Sequence, residues 1–309
     1  MYKAEILADS ISDREHRLTS FLLTYPRMIH SELMTHSMLV RNSESSRARP
    51  VKKNITDVDQ NPFIPEVFGK NQPGMQWERA LDEGEDAEAR ATWQFAAGDA
   101  IAAANSLAEL DVHKSYANRV LEPFKFHTAI FSGTDWSNFF ALRTHPDAQA
   151  EFRKLALMMQ EVMEASEPKH LSSFQYHVPF VTDEEIDAEA LTHPDPWVDW
   201  DLWRKVSAGR CARVSYLTHD GKRDLTADQE LAERLVKSGH LSPLAHQARP
   251  FNDSEWDVIW GAQDAIPYDE FGQRLIRNLE YCAQYRGWWQ ARASIPNEHD
   301  FGLVMEGMK

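Results

Sequence analysis

The chain has 309 residues, of which 42% are hydrophobic and 26% are charged, and these values are typical of a soluble globular protein. Its 33 basic and 48 acidic residues give a formal net charge of −15, which argues against a general nucleic-acid-binding protein. The two cysteines, Cys211 and Cys282, are too few for a disulfide framework and form no CxxC pair. Because no apolar signal segment and no apolar run of about 18 residues occurs, we expect a cytoplasmic protein with neither a membrane nor a nucleic acid as partner.

The first third of the chain mixes strand and helix patterns. Residues 17–25 suit a strand, and Pro26 suits the first turn of a helix whose apolar side carries Met28, Ile29, Leu33 and Met34. The polar, Ser-rich segment 41–50 is predicted to be a loop, and residues 54–74, rich in Pro and Gly, irregular chain. Residues 76–121 then follow a helical pattern rich in Ala, Glu and Leu.

The middle of the chain adds a short strand at 125–131 and two helices. In the first helix, three aromatic residues fall at the spacing i, i+3, i+4, which predicts core packing for Trp136, Phe139 and Phe140. Pro146 is predicted to open the second helix, whose buried face would carry Ala148, Phe152, Leu155 and Met159.

The C-terminal third alternates loops with short elements. We predict loops over 166–200, a strand-like or buried segment at 212–216, an amphipathic helix over 226–238 that Gly239 ends, and a strand at 246–251. The aromatic and basic patch 285–292 is predicted mainly to pack in the core or at an interface, with ligand stacking as the alternative. These elements indicate an α/β (α+β) fold, a mixed sheet flanked by helices.

The segment 35–49 is the first candidate site. After a predicted helix it gathers hydroxyl, amide, imidazole and guanidinium groups, on His36, Arg41, Asn42, Ser43, Ser45, Ser46, Arg47 and Arg49. Such donors, with local positive charge, are what a phosphate monoester needs. A solvated Ser/Arg surface loop is the alternative that composition leaves open.

Two further clusters are weaker by themselves. Arg143 follows an aromatic helix and could hold a planar base edge or a carboxylate with two hydrogen bonds, or simply cap the helix. The segments 209–216 and 239–246 contain small and polar residues that a glycine helix cap and a Ser-Pro turn would explain equally well.

Together, these clusters resemble the flavin-dependent thymidylate synthase family. Its signature RHRxxSxNxxSxRY corresponds to THSMLVRNSESSRA at 35–48, in which four positions match: His36, Asn42, Ser45 and Arg47. The segment RVLEP at 119–123 resembles the family's R-x-V-L-P, and Leu142-Arg143 with the nearby DAQ at 147–149 resembles its LR and HAQ-like pair.

The remaining family blocks occur in a displaced order. ARVSY at 212–216 and GHLSPLAH at 239–246 resemble the family's ARVSF and GHETPFEH, which in familiar members precede the signature. The resemblance therefore implies one circularly permuted domain over 1–309, with a helical section at roughly 76–121 and the displaced blocks at roughly 205–251. We associate this order with phage-type relatives.

The resemblance also implies roles for individual residues. Ser45, Arg47 and Arg119 would hold the nucleotide phosphate, and Arg143 would orient the pyrimidine and, as the catalytic residue, stabilise charge on its ring. Glu32 stands where the family has Gln and could accept a hydrogen bond from an exocyclic amine, which would suit cytosine. Flavin contacts are implied, without any metal, for His36, Asn42, Asn138, Ser215, His240 and Ser242.

The implied reaction is an FAD-dependent transfer of a one-carbon unit from methylenetetrahydrofolate to C5 of dUMP, with NADPH as the reductant. It needs no protein nucleophile, in agreement with two cysteines that lack an activating sequence environment. The partners would be a pyrimidine deoxynucleotide and a folate, and the resemblance implies a homotetramer with sites between subunits, in the host cytoplasm if the gene is a phage's.

Departures from the family pattern leave two alternatives open. Thr35 and Ser37 replace the two arginines of RHR, Val40 and Ala48 replace the first Ser and the Tyr, and Ala245 replaces a Glu. One alternative is C5 hydroxymethylation of dUMP or dCMP to make a precursor of modified DNA. The other is a catalytically silent nucleotide-binding subunit.

Overall fold

A five-stranded mixed sheet organises the computed structural model, which describes residues 1–194, 197–214, 224–256, 283–295 and 298. The strand order is β3-β4-β2-β1-β5, and only the pairing of β1 with β5 is parallel. The strands are β1 (Lys3–Ser12), β2 (Arg17–Pro26), β3 (Val40–Ser43), β4 (Phe126–Gly133) and β5 (Lys169–Leu171). A second sheet pairs β6 (Ala248–Pro250) with β7 (Trp288–Gln290).

Helices flank the sheet, as the sequence predicts for an α+β fold. In the described part of the chain they are α1 (His30–Leu33), α2 (Val51–Gln60), α3 (Glu83–Glu109), α4 (Lys114–Ala117), α5 (Ser137–Arg143), α6 (Ala150–Glu164), α7 (Asp183–Ala190), α8 (Trp200–Ala212), α9 (Leu225–Lys237) and α10 (Asp253–Trp256). Short 3-10 helices cover Arg27–Ile29, Asn118–Phe124, Ser242–Ala245 and Arg292–Ser294. No helix among the described residues is long and apolar enough to cross a membrane.

The main core lies between β2 and β4 on one side and α5 and α6 on the other. Its buried residues include the helical positions that periodicity predicts to be buried, Trp136, Phe139, Phe152, Leu155 and Met159, whereas Phe140 is only partly buried. Phe21, Leu23 and Phe131 of the sheet complete the core. Ala148 lies outside this face because α6 begins only at Ala150. Burial of this apolar surface is the main driving force that fixes α5, and hence Arg143 at its end, against the sheet.

Several other predicted elements are confirmed with shifted bounds. The strand at 17–25 is β2, the strand at 125–131 is β4, and the amphipathic helix at 226–238 is α9, after which Gly239 has a φ of +71°. The predicted helical section contains α3, which begins at Glu83 because Asp82 and Glu85 form a capping box.

Four further sequence predictions are wrong in part. Residues 40–43 form β3 because they pair with β4 along the edge of the sheet, although their composition indicates a loop. Residues 54–60 belong to α2, where the i, i+4 pair Asn54 and Val58 faces inward. The segment 166–200 contains β5 and α7, and Ala212 ends α8 instead of entering a strand, although Val214 is buried as expected.

Candidate functional site

The edge strand β3 is the element to which most of the candidate residues connect. Its four residues follow His36, include Asn42, and lead directly into the segment that contains Ser45 and Arg47. This strand lies between the two ends of the family signature. The candidate residues are therefore best described as one group at each end of β3.

The group after β3 contains the residues for which the family resemblance implies phosphate binding. Oε1 of Glu122 accepts hydrogen bonds from Ser46 Oγ at 2.7 Å and from Arg119 at 2.8 Å, which brings Arg119 beside the signature loop. Asn118 Nδ2 donates to the carbonyl oxygens of Ser46 and Arg49 at 2.7 and 3.0 Å. The 3-10 helix that carries Arg119 thus supports the loop directly.

Two loop residues complete this group. Ser45 Oγ accepts a hydrogen bond from the backbone N–H of Arg47 at 3.3 Å, and the Arg47 side chain is exposed. Glu122 therefore links Arg119 to Ser46, the residue between Ser45 and Arg47 in the loop, although 72 residues separate Arg47 from Arg119 in the sequence. A hydroxyl and two guanidinium groups form a donor set that suits a phosphate monoester.

The group before β3 contains Arg143 and His36. Arg143 Nε donates to His36 Nε2 at 3.0 Å, and the guanidinium carbon lies 4.3 Å from the centre of the Phe152 ring. Burial lowers the pKa of His36, and the positive charges of Arg143 and Arg41 lower it further. The neutral imidazole can therefore accept from Arg143, so that His36 holds this side chain in addition to any contact with a flavin.

Glu32 lies in the same part of the chain. It is exposed on α1, and its backbone oxygen accepts a hydrogen bond from Thr35 Oγ1 at 2.6 Å. Thr35 and Ser37, which replace the family's arginines, are also exposed. A guanidinium is nevertheless nearby, because Arg41 donates to the carbonyl oxygens of His36 and Leu39 at 3.0 and 3.1 Å.

The displaced C-terminal blocks lie against β3. Asn42 Nδ2 donates to the backbone oxygen of Cys211 at 2.7 Å, and Val40 shares a buried hydrophobic cluster with Ala245. Cys211 directly precedes the ARVSY block at 212–216, and Ala245 belongs to the GHLSPLAH block at 239–246. The chain beside the first block and the second block itself therefore contact the signature strand, although 169 residues separate Asn42 from Cys211.

The remaining flavin candidates lie on other elements. His240 and Ser242 are exposed between α9 and the adjoining 3-10 helix, where His240 Nδ1 lies 3.1 Å from Ser238 Oγ. Asn138 is exposed in the first turn of α5, the helix that Arg143 ends. Ser215 lies outside the described residues.

A buried polar chain across the sheet was not anticipated from the sequence. Its consecutive contacts are Ser10 Oγ to His177 Nδ1 at 2.9 Å, His177 Nε2 to Ser20 Oγ at 2.8 Å, Ser20 Oγ to Ser132 Oγ at 2.5 Å, and Ser132 Oγ to His246 Nδ1 at 2.8 Å. His246 is the last residue of the GHLSPLAH block, so that motif could have indicated it.

The described cysteine is unsuited to nucleophilic catalysis. Cys211 is fully buried, and burial raises the pKa of its thiol to about 12. Because the thiolate is the reactive form, such a thiol is inert at neutral pH. Cys282 lies outside the described residues.

Comparison with known protein families identifies one family. Residues 9–169, slightly more than half of the chain, match the family described as thymidylate synthase complementing protein. The chain belongs to this family, which is the flavin-dependent thymidylate synthase family that its motifs resemble. The matched span contains the signature, Arg119 and Arg143 but ends before the two displaced blocks, so the permuted order stays a prediction.

Two solved structures of one bacterial enzyme resemble the chain more distantly. They are the UMP/dUMP methylase PolB from Streptomyces cacaoi bound with 5-Br UMP, at 17% identity and a TM-score of 0.46, and the same enzyme bound with 5-Br dUMP, at 18% and 0.45. Each comparison covers 53% of this chain, and 89% and 90% of the respective PolB chains. A search of curated proteins gave no match.

Proposed function

We propose that this protein uses FAD to transfer a one-carbon unit from methylenetetrahydrofolate to C5 of a pyrimidine deoxynucleoside monophosphate, with NADPH as the reductant. The observation that carries the proposal is the position of β3. A phosphate-type donor set follows this strand, an anchored Arg143 stands at its start, and both displaced blocks lie against it.

The phosphate would be held by Ser45, Arg47 and Arg119. The contact between Arg119 and Glu122 fixes the direction of one guanidinium before the nucleotide arrives, and this lowers the ordering cost of binding. The Ser45 hydroxyl and the exposed Arg47 supply further donors. A dianionic phosphate would therefore meet a hydroxyl and two guanidinium donors, one of which is already paired.

Arg143 would act on the pyrimidine ring. His36 accepts the hydrogen bond from its Nε, and the Phe152 ring lies against its guanidinium group. Its terminal N–H groups are therefore the donors with which it could hold a planar base edge. Two parallel N–H donors orient the base and stabilise negative charge that develops on the ring oxygens when C5 reacts.

The flavin candidates fit a polar, elongated cofactor. Asn42, Asn138, His240 and Ser242 offer amide, imidazole and hydroxyl groups around β3, and Arg41 supplies a guanidinium near the position where the family's arginines are absent. When bound, the flavin would supply the redox chemistry of the one-carbon transfer. The fully buried Cys211 agrees with a mechanism that needs no protein thiolate.

A second candidate function is hydroxymethylation of dCMP or dUMP at C5, and the exposed carboxylate of Glu32 favours the cytosine form of it. A carboxylate can accept a hydrogen bond from the exocyclic amine of cytosine. It would repel the carbonyl O4 of uracil, because both groups are hydrogen-bond acceptors. Both candidates share the phosphate site, the flavin and the folate. They differ in the group that is finally attached to C5.

The test uses the purified full chain. Its visible absorption is recorded before and after FAD is added, and it is then incubated with methylenetetrahydrofolate, NADPH and either dUMP or dCMP. We expect flavin absorption and a nucleotide product that mass spectrometry identifies as methylated or hydroxymethylated. A colourless protein that takes up no FAD but binds nucleotide would instead identify the silent subunit, and light scattering would test the expected homotetramer.

A further inference from the structure

A buried carboxylate lies immediately before the phosphate-type loop. The Glu44 side chain is 5% exposed, and its backbone N–H donates to the carbonyl oxygen of Thr128 on β4 at 3.0 Å. Its Oε2 accepts a hydrogen bond from Arg49 at 3.1 Å, and its Oε1 lies 2.8 Å from Lys125 Nζ and 3.2 Å from His127 Nδ1. Three basic side chains therefore surround one carboxylate.

The electrostatics keep this carboxylate ionised. Burial by itself would raise the pKa of Glu44, but the hydrogen bond from His127 and the charges of Lys125 and Arg49 hold it well below its usual range. Burial in turn lowers the pKa of His127, so the imidazole whose Nδ1 lies 3.2 Å from Glu44 Oε1 is neutral. Glu44 is thus the negative centre of a cluster that also includes the Arg49–Asp57 ion pair.

The geometry of this cluster encloses the loop. Glu44 precedes Ser45 and Arg49 follows Ala48, so the ion pair between Glu44 and Arg49 joins the two ends of the loop 45–48. Lys125, just before β4, connects the same carboxylate to the neighbouring strand. The backbone that carries the Ser45 hydroxyl and the Arg47 guanidinium is therefore anchored at both ends.

We propose that Glu44 is a positioning residue for the nucleotide phosphate. Its carboxylate fixes the loop 45–48 so that Ser45 and Arg47 meet the phosphate in one orientation, while it neutralises Lys125 and Arg49 behind them. This proposal rests on the proposed function, because it assumes that the loop binds a nucleotide monophosphate. It adds a residue that lies outside the matched signature positions and does not itself touch the substrate.

The test compares nucleotide with nucleoside. Calorimetry or equilibrium dialysis gives the Kd of dUMP and dCMP, and of the corresponding deoxynucleosides, for wild-type protein and for Glu44→Gln. If the loop loses its anchor, monophosphate binding should weaken by about tenfold or more, the scale of one charge-assisted contact, while nucleoside binding changes by less than about twofold. Equal weakening of both ligands would overturn the positioning role.

A matched control separates positioning from general stability. Asp228 is an equally buried carboxylate that pairs with Arg210 and Arg213, between α8 and α9 and outside the phosphate group. Asp228→Asn should lower the urea midpoint of unfolding, as Glu44→Gln does, but should leave the ratio of nucleotide to nucleoside affinity unchanged. If Asp228→Asn changed this ratio as much, the effect would be one of stability and the proposal would fail.

Binding by the wild type separates failure of the proposed function from failure of the positioning role alone. If wild-type protein binds neither monophosphate, the proposed function fails and the inference fails with it; if wild type binds and Glu44→Gln binds equally well, only the inference fails. Should Glu44→Gln not fold, the double variant Glu44→Gln/Lys125→Met removes both charges of the buried pair, which proteins tolerate better than the loss of one. It should fold and still lose the preference for the monophosphate, and retention of that preference would overturn the proposal.

Discussion

Arg143 and His36 are joined by a hydrogen bond of 3.0 Å from the guanidinium Nε to the imidazole Nε2, although 107 residues separate them. The bond requires Nε2 of His36 to carry no proton. Burial and the charges of two neighbouring arginines lower the pKa of His36 and so favour this neutral form. The signature histidine and the proposed base-orienting arginine therefore act as a unit.

Replacement of His36 tests this unit. His36→Phe keeps a ring but removes the acceptor, and we expect kcat/KM for the nucleotide to fall about tenfold because Arg143 loses its orientation. His36→Gln retains an acceptor and should lose much less. In wild type, kcat/KM should also decline as pH falls below the lowered pKa of His36, because an imidazolium repels Arg143. His36→Gln has no titrating ring and should lack this decline. Identical pH profiles of the two proteins would contradict the proposed pairing.

Replacement of Arg143 separates base orientation from phosphate binding. Arg143→Lys keeps the charge but not the planar pair of donors, so kcat should fall about a hundredfold, as for the loss of an oriented charge-stabilising group. The Kd of the nucleotide should change far less. Arg153→Lys is the matched control, since Arg153 contacts the backbone oxygen of Thr144 in the same region. A comparable loss of kcat in both variants would refute the assigned role.

Replacement of Glu32 tests the choice of base. Glu32→Gln offers an amide N–H that can donate to O4 of uracil, where the carboxylate repels it. Because one repulsion is replaced by one hydrogen bond, the ratio of dUMP to dCMP affinity should rise by about tenfold. Competitive binding of the two nucleotides measures this ratio. The exposed Glu109 at the end of α3 supplies the control variant Glu109→Gln. An unchanged ratio in Glu32→Gln would exclude Glu32 from base recognition.

The buried histidines predict how stability depends on pH. Burial lowers the pKa of His177 and of His246 from 6.5 to about 3, so below pH 6.5 the unfolded chain binds protons that the folded chain does not. The free energy of unfolding should therefore decrease as pH falls from 6.5 towards about 3, by at most about 1.4 kcal/mol per pH unit for each histidine.

Urea unfolding at a series of pH values checks this prediction. His246→Asn can retain the hydrogen bond to Ser132 without a titrating ring, and it should make the decrease in stability less steep. His145 is exposed and serves as the control in His145→Asn. If the free energy of unfolding of the wild type were constant between pH 6.5 and about 4, the conclusion that His177 and His246 are buried in the neutral form would be wrong.

Local patterns were sufficient for the elements that carry a clear period or a cap. The apolar spacing of Phe152, Leu155 and Met159 predicted α6, and Gly239 correctly marked the end of α9. β3 could not be predicted in this way. Residues 40–43 become a strand because the edge of β4 offers them hydrogen-bond partners, which is a property of the fold and not of the segment.

For the candidate site, too, the sequence predicts only part of the structure. The signature match selects Ser45, Arg47 and Asn42. Glu44, which pairs with Arg49, and Glu122, which binds Ser46, have no recognisable spacing in the sequence. Their roles depend on contacts between segments about 75 to 80 residues apart, such as Ser46 with Glu122 and Glu44 with Lys125. Only the folded chain brings these groups together.

The most direct test of the central claim follows the transferred carbon. The protein is incubated with FAD, NADPH, dUMP or dCMP, and methylenetetrahydrofolate that carries a labelled methylene carbon, and the nucleotide is then analysed by mass spectrometry and NMR. We expect the label to appear on C5 of the pyrimidine, only in the presence of FAD, and more slowly in Arg143→Lys. A nucleotide that stays unlabelled in the presence of bound FAD, or labelling that proceeds equally well without flavin, would contradict the proposed function.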